Sequence, residues 1–294
     1  MKVYLQPDQY SRGVMRVVDA LMEFAPPEIS LALTPQDADL EVLHVIGRHD
    51  AVSRRVASLK RLGKPYAMIQ YCLRSTIYPK VQDWIGMWEG AKLVWSYYDL
   101  PDLIVQDLSV PVTNKYLNFY HAPLGVDPKV FRERSNPERR FIIAANSQHA
   151  LAESVRECAF AAKRVGQPMF FLGHELRRGS DIVCRKDLTD AEVADYFSQC
   201  QFVSGLRRIE GFELPVLEGA LCGARPIVFD QPHYKHWFKD FAVFIGEGSR
   251  EEVIDSLESV FRIGAIPVSE NEKALIRERF NWYKIIRGFW ERIL

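Results

Sequence analysis

Residues 207–230 read RRIEGFELPVLEGALCGARPIVFD. The run QFVSGL before it and RPIVFD at its end are short and apolar, so the stretch reads as strand, acidic glycine-containing turn, short helix, strand. Pro215 belongs in the first turn of a helix, where its missing N–H would be unpaired anyway, and this predicts a helix starting near Leu214. Leu217, Ala220 and Leu221 form an apolar stripe for the sheet, Gly223 ends the helix and Pro226 enters the next strand.

The N-terminus of that helix presents free backbone N–H groups and the positive end of the dipole, a ready site for a diphosphate. Gly211 lets the backbone approach such a group closely. Glu218, four residues after Leu214, lies about one turn inside the helix. A carboxylate there can accept hydrogen bonds from two neighbouring hydroxyls, as on a ribose, and Glu210 at the strand end can do the same for a sugar ring. Spacing alone equally allows both glutamates to be solvated helix-end charges.

Outward from this stretch the alternation continues. FIIAAN, PMFFLGH, DIVCR, QFVSGL and AVFIG read as strands, and LAESVRECAFAAKRV, TDAEVADYFSQC and EEVIDSLESVF as helices, with Thr189 and Ser249 placed to cap two of them. The first half repeats the scheme in KVYLQ, GVMRVVDALMEF, ISLAL, LEVLHVI, RRVASLKRL, PYAMIQYC and AKLVWSY. Alternating elements imply largely parallel sheets covered by helices. Prolines, a glycine and charges replace periodic apolar residues over 122–140, which marks a linker. The tail carries Phe280, Trp282, Tyr283, Phe289 and Trp290, too many aromatics for one small helix face, and is expected to pack across both domains.

The chain has 294 residues and 48% hydrophobic content, enough for two domains of about 100–200 residues each. Lys plus Arg and Asp plus Glu number 38 each, so no global charge excess points to nucleic acid or membrane. The five cysteines (Cys72, Cys158, Cys184, Cys200, Cys222) stand singly without CxxC or HxxxH spacing, which predicts reduced thiols and no zinc site. With no run of roughly 20 apolar residues and no secretory h-region, a soluble cytoplasmic protein is expected.

EGFELPVLEGALCGARPIV resembles the EGFGLPxxEAMACGxPVI signature of retaining, nucleotide-sugar-dependent glycosyltransferases of family 4. Further segments are similar in the same order. YSRGVMRVV resembles the family's first glycine loop, DLEVLHVIG its DVVHxHG strand, and HAPLGVDPKVF its IPNGVDxxxF interdomain linker. The resemblance is strong over 120–262 and weaker over 1–119, where the N-terminal domain is short for the family. It implies the GT-B fold: two Rossmann-like α/β domains facing a cleft, with a C-terminal helix crossing back to the N-terminal domain. The implied domains are 1–125 for the acceptor, 126–275 for the donor, and a helical tail over 276–294.

The resemblance further implies a hexosyltransferase using a nucleotide-sugar substrate, UDP-sugar foremost, with no cofactor and no metal. Glu218 would hold the ribose and Glu210 the sugar hydroxyls, with the backbone of Gly211, Phe212, Glu213 and Leu214 toward the phosphates and sugar. Gly13 would let the diphosphate approach the first domain, Cys184 and Arg185 would flank the base, and His44 corresponds to a histidine of the N-terminal cleft, with a strand-core histidine as the alternative. Two departures stand out. Glu213 replaces a glycine that passes the sugar, and the family's Arg and Lys after the first C-domain strand are absent from AANSQHALAES. Arg207 and Arg208 are the nearest substitutes, then Arg177 and Arg178; guanidinium matches phosphate geometry. The DxD within DADLE near residue 37 reads as a strand entry.

Between Arg48 and Lys80 lie eight basic residues (Arg48, Arg54, Arg55, Lys60, Arg61, Lys64, Arg74, Lys80) and one acidic, Asp50. This bias suits an anionic acceptor, double-stranded DNA or an anionic membrane surface, or else a solvated basic helix. Tyr66, Tyr71, Tyr78, Trp84 and Trp88 are candidates for stacking on bases or for the core. The compact length resembles that of viral enzymes that glycosylate hydroxymethylated pyrimidines in DNA, which would place the protein in a host cytoplasm. A bacterial lipid- or polysaccharide-linked acceptor, a nucleotide-sugar 2-epimerase and a non-catalytic nucleotide-sugar-binding subunit are the other readings.

Overall fold

In the computed structural model, which describes residues 1–5, 12–46, 49–73, 81–108, 117–134, 138–146, 154–173, 181–208 and 212–294, the alternating apolar runs become strands joined by helices. The first unit contains β1 (Lys2–Leu5), α1 (Arg12–Glu23), β2 (Ser30–Leu31), β3 (Leu40–Val45), α2 (His49–Arg61), β4 (Tyr66–Gln70), α3 (Val81–Trp88), β5 (Val94–Ser96), α4 (Leu100–Leu108) and β6 (Phe119–His121). Its six described strands are all parallel, in the order β2-β1-β3-β4-β5-β6. Every residue of β3 and β4 is buried, the signature of a parallel sheet covered on both faces.

The second unit contains β7 (Phe141–Asn146), α5 (Val155–Arg164), β8 (Met169–Leu172), β9 (Ile182–Arg185), α6 (Asp190–Ser198), β10 (Cys200–Gly205), α7 (Leu214–Leu221), β11 (Arg225–Phe229), α8 (Pro232–Phe238), β12 (Val243–Ile245), α9 (Arg250–Ile263) and α10 (Glu270–Arg279). Its strands are also parallel, in the order β12-β11-β10-β7-β8-β9. Each sheet reverses its winding once, at β1/β3 in the first unit and at β7/β10 in the second. Open α/β sheets bind ligands beyond the carboxyl ends of the strands at such a reversal.

Thr189 and Ser249 cap α6 and α9 as expected, and each forms a full capping box with the glutamate three residues on, Glu192 and Glu252. Those hydrogen bonds hold both carboxyls below their ordinary range. Ser269 caps α10 in the same way with Glu272. Helices α3, α4 and α8 and strand β6 have no counterpart among the segments expected from the sequence. The element α8 is short and buries Tyr234, Trp237 and Phe238, so the strip of apolar residues is too brief to show a period. Of ISLAL only Ser30–Leu31 pairs as strand.

The tail divides. Helix α10 and Phe280 belong to the second unit, where Phe280 is buried against the rings of Trp237, Phe238 and Phe241. The final helix α11 (Trp282–Ile293) belongs to the first unit, where Phe289 meets Trp95 at 5.6 Å and Trp290 Nε1 donates to Leu21 O at 3.4 Å. A Cβ built on Gly125 would collide with the Trp282 indole, so glycine is required at that close approach. Beyond Gly125 the connecting segment is fastened to the second unit: the buried Lys273 ammonium holds Glu133 and Glu270, and Arg139 donates to Cys200 O at 2.7 Å. Among the described residues, no helix is long and apolar enough to cross a membrane. All five cysteines are free thiols.

Candidate functional site

Helix α7 starts at Leu214 with Pro215 in its first turn, where the sequence put it, and Gly223 follows its end with φ 86°. The apolar stripe is wider than Leu217, Ala220 and Leu221. Val216 and Gly219 also face β10: a Cβ on Gly219 would lie 2.6 Å from Val203, so the missing side chain lets the helix settle directly on the strand. Glu218 sits among these residues with 4% of its surface exposed. A carboxylate so placed is not a solvated helix-end charge, and that reading of Glu218 falls. Glu210 and Gly211 lie outside the described residues, as do Arg177 and Arg178. Phe212 is buried, groups with the first unit and packs at 5.4 Å from the Tyr97 ring.

Glu213 is the N-cap residue of α7, with φ −114° and ψ 95°, yet its side chain makes no capping bond. The carboxylate turns inward instead, 1% exposed. Arg207 Nε lies 3.0 Å from its Oε2, and the Tyr234 hydroxyl lies 3.4 Å from its Oε1. Gly205, at the end of β10, makes this possible, because a Cβ there would meet Val216, Val228 and the Glu213 stem. A side chain that fills its own buried slot does not project from the helix N-terminus. The departure from the family glycine is thus absorbed into the unit's interior.

Arg207 and Arg208 leave β10 in two directions. Arg207 Nη2 donates to Asn146 Oδ1, the last residue of β7, at 3.1 Å, so it spans the β7/β10 reversal. Arg208 Nη1 donates to Ser154 Oγ at 2.9 Å and its guanidinium lies 4.8 Å over the Phe229 ring. Ser154 is the N-cap of α5, in the left-handed region at φ 40°, a conformation that non-glycine residues rarely adopt. The two guanidiniums therefore stand at the carboxyl end of β7 and the N-terminus of α5. Each has an acidic neighbour: Glu213 for Arg207, and Glu247 at 3.8 Å for Arg208. Arg185 lies at the end of the edge strand β9, exposed, with Nε donating to the Tyr196 hydroxyl at 3.2 Å; Cys184 precedes it, half-buried.

In the first unit, His44 lies near the carboxyl end of β3 and Gly13 in the first turn of α1, both at the β1/β3 reversal. The imidazole is buried at 5% exposure. Its Nδ1 is 2.9 Å from the Tyr71 hydroxyl, and the two rings stack at 5.9 Å. Burial lowers the His44 pKa to about 4 and raises that of Tyr71 well above its ordinary value, so both are neutral near pH 7.

The basic segment is less available than its composition implied. Arg55 grips the buried Glu41 through two hydrogen bonds of 3.0 and 2.5 Å, Lys64 lies 3.8 Å from the same carboxylate, and Lys60 donates to Gly86 O at 2.8 Å. As a candidate acceptor ligand, Arg55 is instead held by a buried counter-ion on β3. Arg54 and Arg61 are exposed on α2, while Arg48, Arg74 and Lys80 lie outside the described residues. Tyr66, Trp84 and Trp88 are fully buried and belong to the core; Tyr78 lies outside the described residues. In DADLE, Asp39 accepts from Lys2 N and Asp37 from Thr34 Oγ1, holding the entry to β3. Among the described residues, no three His, Cys, Asp or Glu gather as metal ligands.

No family model matches the sequence, and none of the curated proteins does. Solved structures do match the fold over nearly the whole chain. The chain superposes on HepE (Alr3699) of Anabaena in complex with UDP with a TM-score of 0.73 at 10% identity, covering 99% of this chain and 98% of that one. Sucrose-phosphate synthase (tll1590) from Thermosynechococcus elongatus gives 0.72 at 10% identity, with the same coverage. AviGT4, a glycosyltransferase involved in avilamycin A biosynthesis, gives 0.65 at 13% identity, covering 100% of this chain and 97% of that one. The architecture is GT-B, as the motif resemblance implied. At such identities the likeness carries the fold, and the activity has to be argued from residues.

Proposed function

We propose that the protein is a glycosyltransferase that binds a nucleoside diphosphate sugar in its second unit and moves the sugar to an acceptor hydroxyl. The observations that carry this reading are Arg207 between the α7 N-cap residue Glu213 and Asn146 across the β7/β10 reversal, Arg208 at Ser154 on the N-terminus of α5, and a buried carboxylate, Glu218, one turn inside α7. Each part matches one group of such a donor. Helix N–H groups and guanidinium suit a diphosphate, and a carboxylate suits the paired hydroxyls of a ribose. A guanidinium has five N–H donors, so one can serve a structural carboxylate and a phosphate together. That HepE was solved with UDP, UDP with glucose, and UDP-glucose supports a uridine diphosphate donor.

Transfer is proposed to proceed with retention and without a metal ion. The acceptor oxygen bonds to the anomeric carbon on the face from which the diphosphate departs, and the acceptor proton passes to the departing phosphate oxygen. The protein's part is to hold the two substrates together and to stabilise the charge growing on the diphosphate. Arg207, Arg208 and the α7 N-terminus serve that charge, Glu218 and Glu210 hold the ribose and the sugar, and Arg185 and Cys184 flank the base. For the acceptor we propose a hydroxymethylated pyrimidine in duplex DNA, drawn by Arg54 and Arg61 together with Arg48 and Arg74. The modified base leaves the stack to react.

The test offers radiolabelled nucleotide sugars with and without duplex DNA carrying hydroxymethylated pyrimidines. Label in the DNA supports the whole reading, whereas slow release of free sugar without DNA keeps the transferase and discards this acceptor. Glu218→Ala is expected to abolish UDP binding measured by calorimetry. Unchanged affinity in that variant would overturn the site.

A further inference from the structure

His44 carries a question that the donor site does not answer. Its imidazole is buried, and among the described residues its Nε2 has no hydrogen-bond partner. Buried polar atoms rarely stay unsatisfied, and an orphan at the carboxyl end of a strand, beside the reversal in its sheet, points to a ligand atom. Which ligand depends on whether Nε2 carries a proton, and the neighbour on the other side of the ring decides that.

A neutral imidazole holds one proton. If it sits on Nδ1, that group donates to the Tyr71 oxygen. The buried Tyr71 O–H and the Nε2 lone pair then both look for partners. If it sits on Nε2, the Tyr71 O–H donates to Nδ1 across the observed 2.9 Å, and a single group, Nε2–H, is left over. The second arrangement satisfies more of a buried pair and is the favoured tautomer. Stacking of the two rings and the backbone bond from Tyr71 N to Val45 O at 3.0 Å hold Tyr71 in register with His44, so the hydroxyl is fixed relative to Nδ1.

We infer that Tyr71 is a positioning residue that locks His44 in its Nε2–H form, so that His44 works as a neutral hydrogen-bond donor to an oxygen of a substrate bound at the β1/β3 reversal of the first unit and not as a base. This rests on the glycosyltransferase reading for the identity of the ligand, while the tautomer itself does not. The arrangement also explains why burial suits this histidine. A donor that never takes up a proton near neutral pH needs no counter-ion.

Nitrogen-resolved NMR of the full-length protein at pH 7, with the His44 signals assigned through His44→Gln, reads the tautomer directly. The expected spectrum has a protonated Nε2 and a bare Nδ1 for His44, and Tyr71→Phe shifts the population toward protonated Nδ1. In sugar transfer Tyr71→Phe should lower kcat by roughly ten- to a hundredfold, the range seen when partners that orient metal-ligating imidazoles are removed, with little change in KM. His44→Gln, which keeps an N–H near the Nε2 place, should retain far more activity than His44→Ala. A protonated Nδ1 in the unmodified protein overturns the inference even if Tyr71→Phe fails to fold, and so does equal loss in His44→Gln and His44→Ala. Absence of any transfer by the unmodified protein would instead remove the glycosyltransferase reading and leave the NMR result standing.

Discussion

Replacing Arg207 and Glu213 singly and together tests the part of the site that departs most from the family pattern. Glu213 is 1% exposed, so Arg207→Met strands a carboxylate in the interior of the second unit. Breaking a buried ion pair from one side costs about 3–5 kcal/mol. For a unit of this size each kcal/mol moves the midpoint by about 2–4 °C, so Tm should fall by roughly 10 °C. Glu213→Leu should cost somewhat less, because Arg207 keeps 15% of its side chain exposed and water can reach it. In Arg207→Met with Glu213→Leu no charge is left stranded, and apolar replacements of buried pairs are often neutral. Thermal and denaturant unfolding of the four proteins then gives a cycle whose coupling should exceed about 2 kcal/mol, well above the roughly 0.5 kcal/mol scatter of independent sites. Calorimetry with UDP supplies the second axis. The double variant should regain stability without regaining full affinity, since one of the two guanidiniums proposed to face the diphosphate is gone. Additive single effects, or a loss under about 1 kcal/mol for Arg207→Met, would refute the reasoning that the two residues form one buried unit.

His44 should make stability pH-dependent. Its folded pKa of about 4 lies below the ordinary histidine value of 6.5, so its contribution is full above pH 6.5 and is lost as pH falls toward 4. The loss reaches about 3 kcal/mol by proton linkage, and His44→Gln should flatten that part of the curve in unfolding measured between pH 7 and 4; an unchanged slope counts against the buried neutral imidazole. Gly219→Ala should destabilise by about 1–3 kcal/mol, because overpacking against Val203 outweighs the better helix propensity of alanine. It should also weaken UDP binding by displacing Glu218, and a raised Tm in that variant would contradict the close contact of α7 with β10.

Much of the architecture was legible because its causes are local. Pro215 starts α7 at Leu214, and Thr189 and Ser249 close capping boxes within three residues. The alternation of short apolar runs with amphipathic ones carries the α/β class. Elements with no local signature were missed. Aromatics bury α8 without a period, and β6 is only three residues long. Ser154 could not be connected with Arg208 from the sequence, since 54 positions separate them.

The local order of the chain determined the alternating strands and helices, the start of α7 and the place of Glu218 within it. Only the tertiary structure decided which charges meet. Arg207 reaches Asn146, 61 positions earlier, because the sheet sets β10 beside β7, and it pairs with Glu213 because Gly205 opens a buried slot for that side chain. Arg55, read as a surface cation, turned to Glu41 because a carboxylate buried on β3 needs a counter-ion. Propensity and capping act over a few residues, whereas the energy of a charge depends on what surrounds it in space, and strand order alone supplies those surroundings.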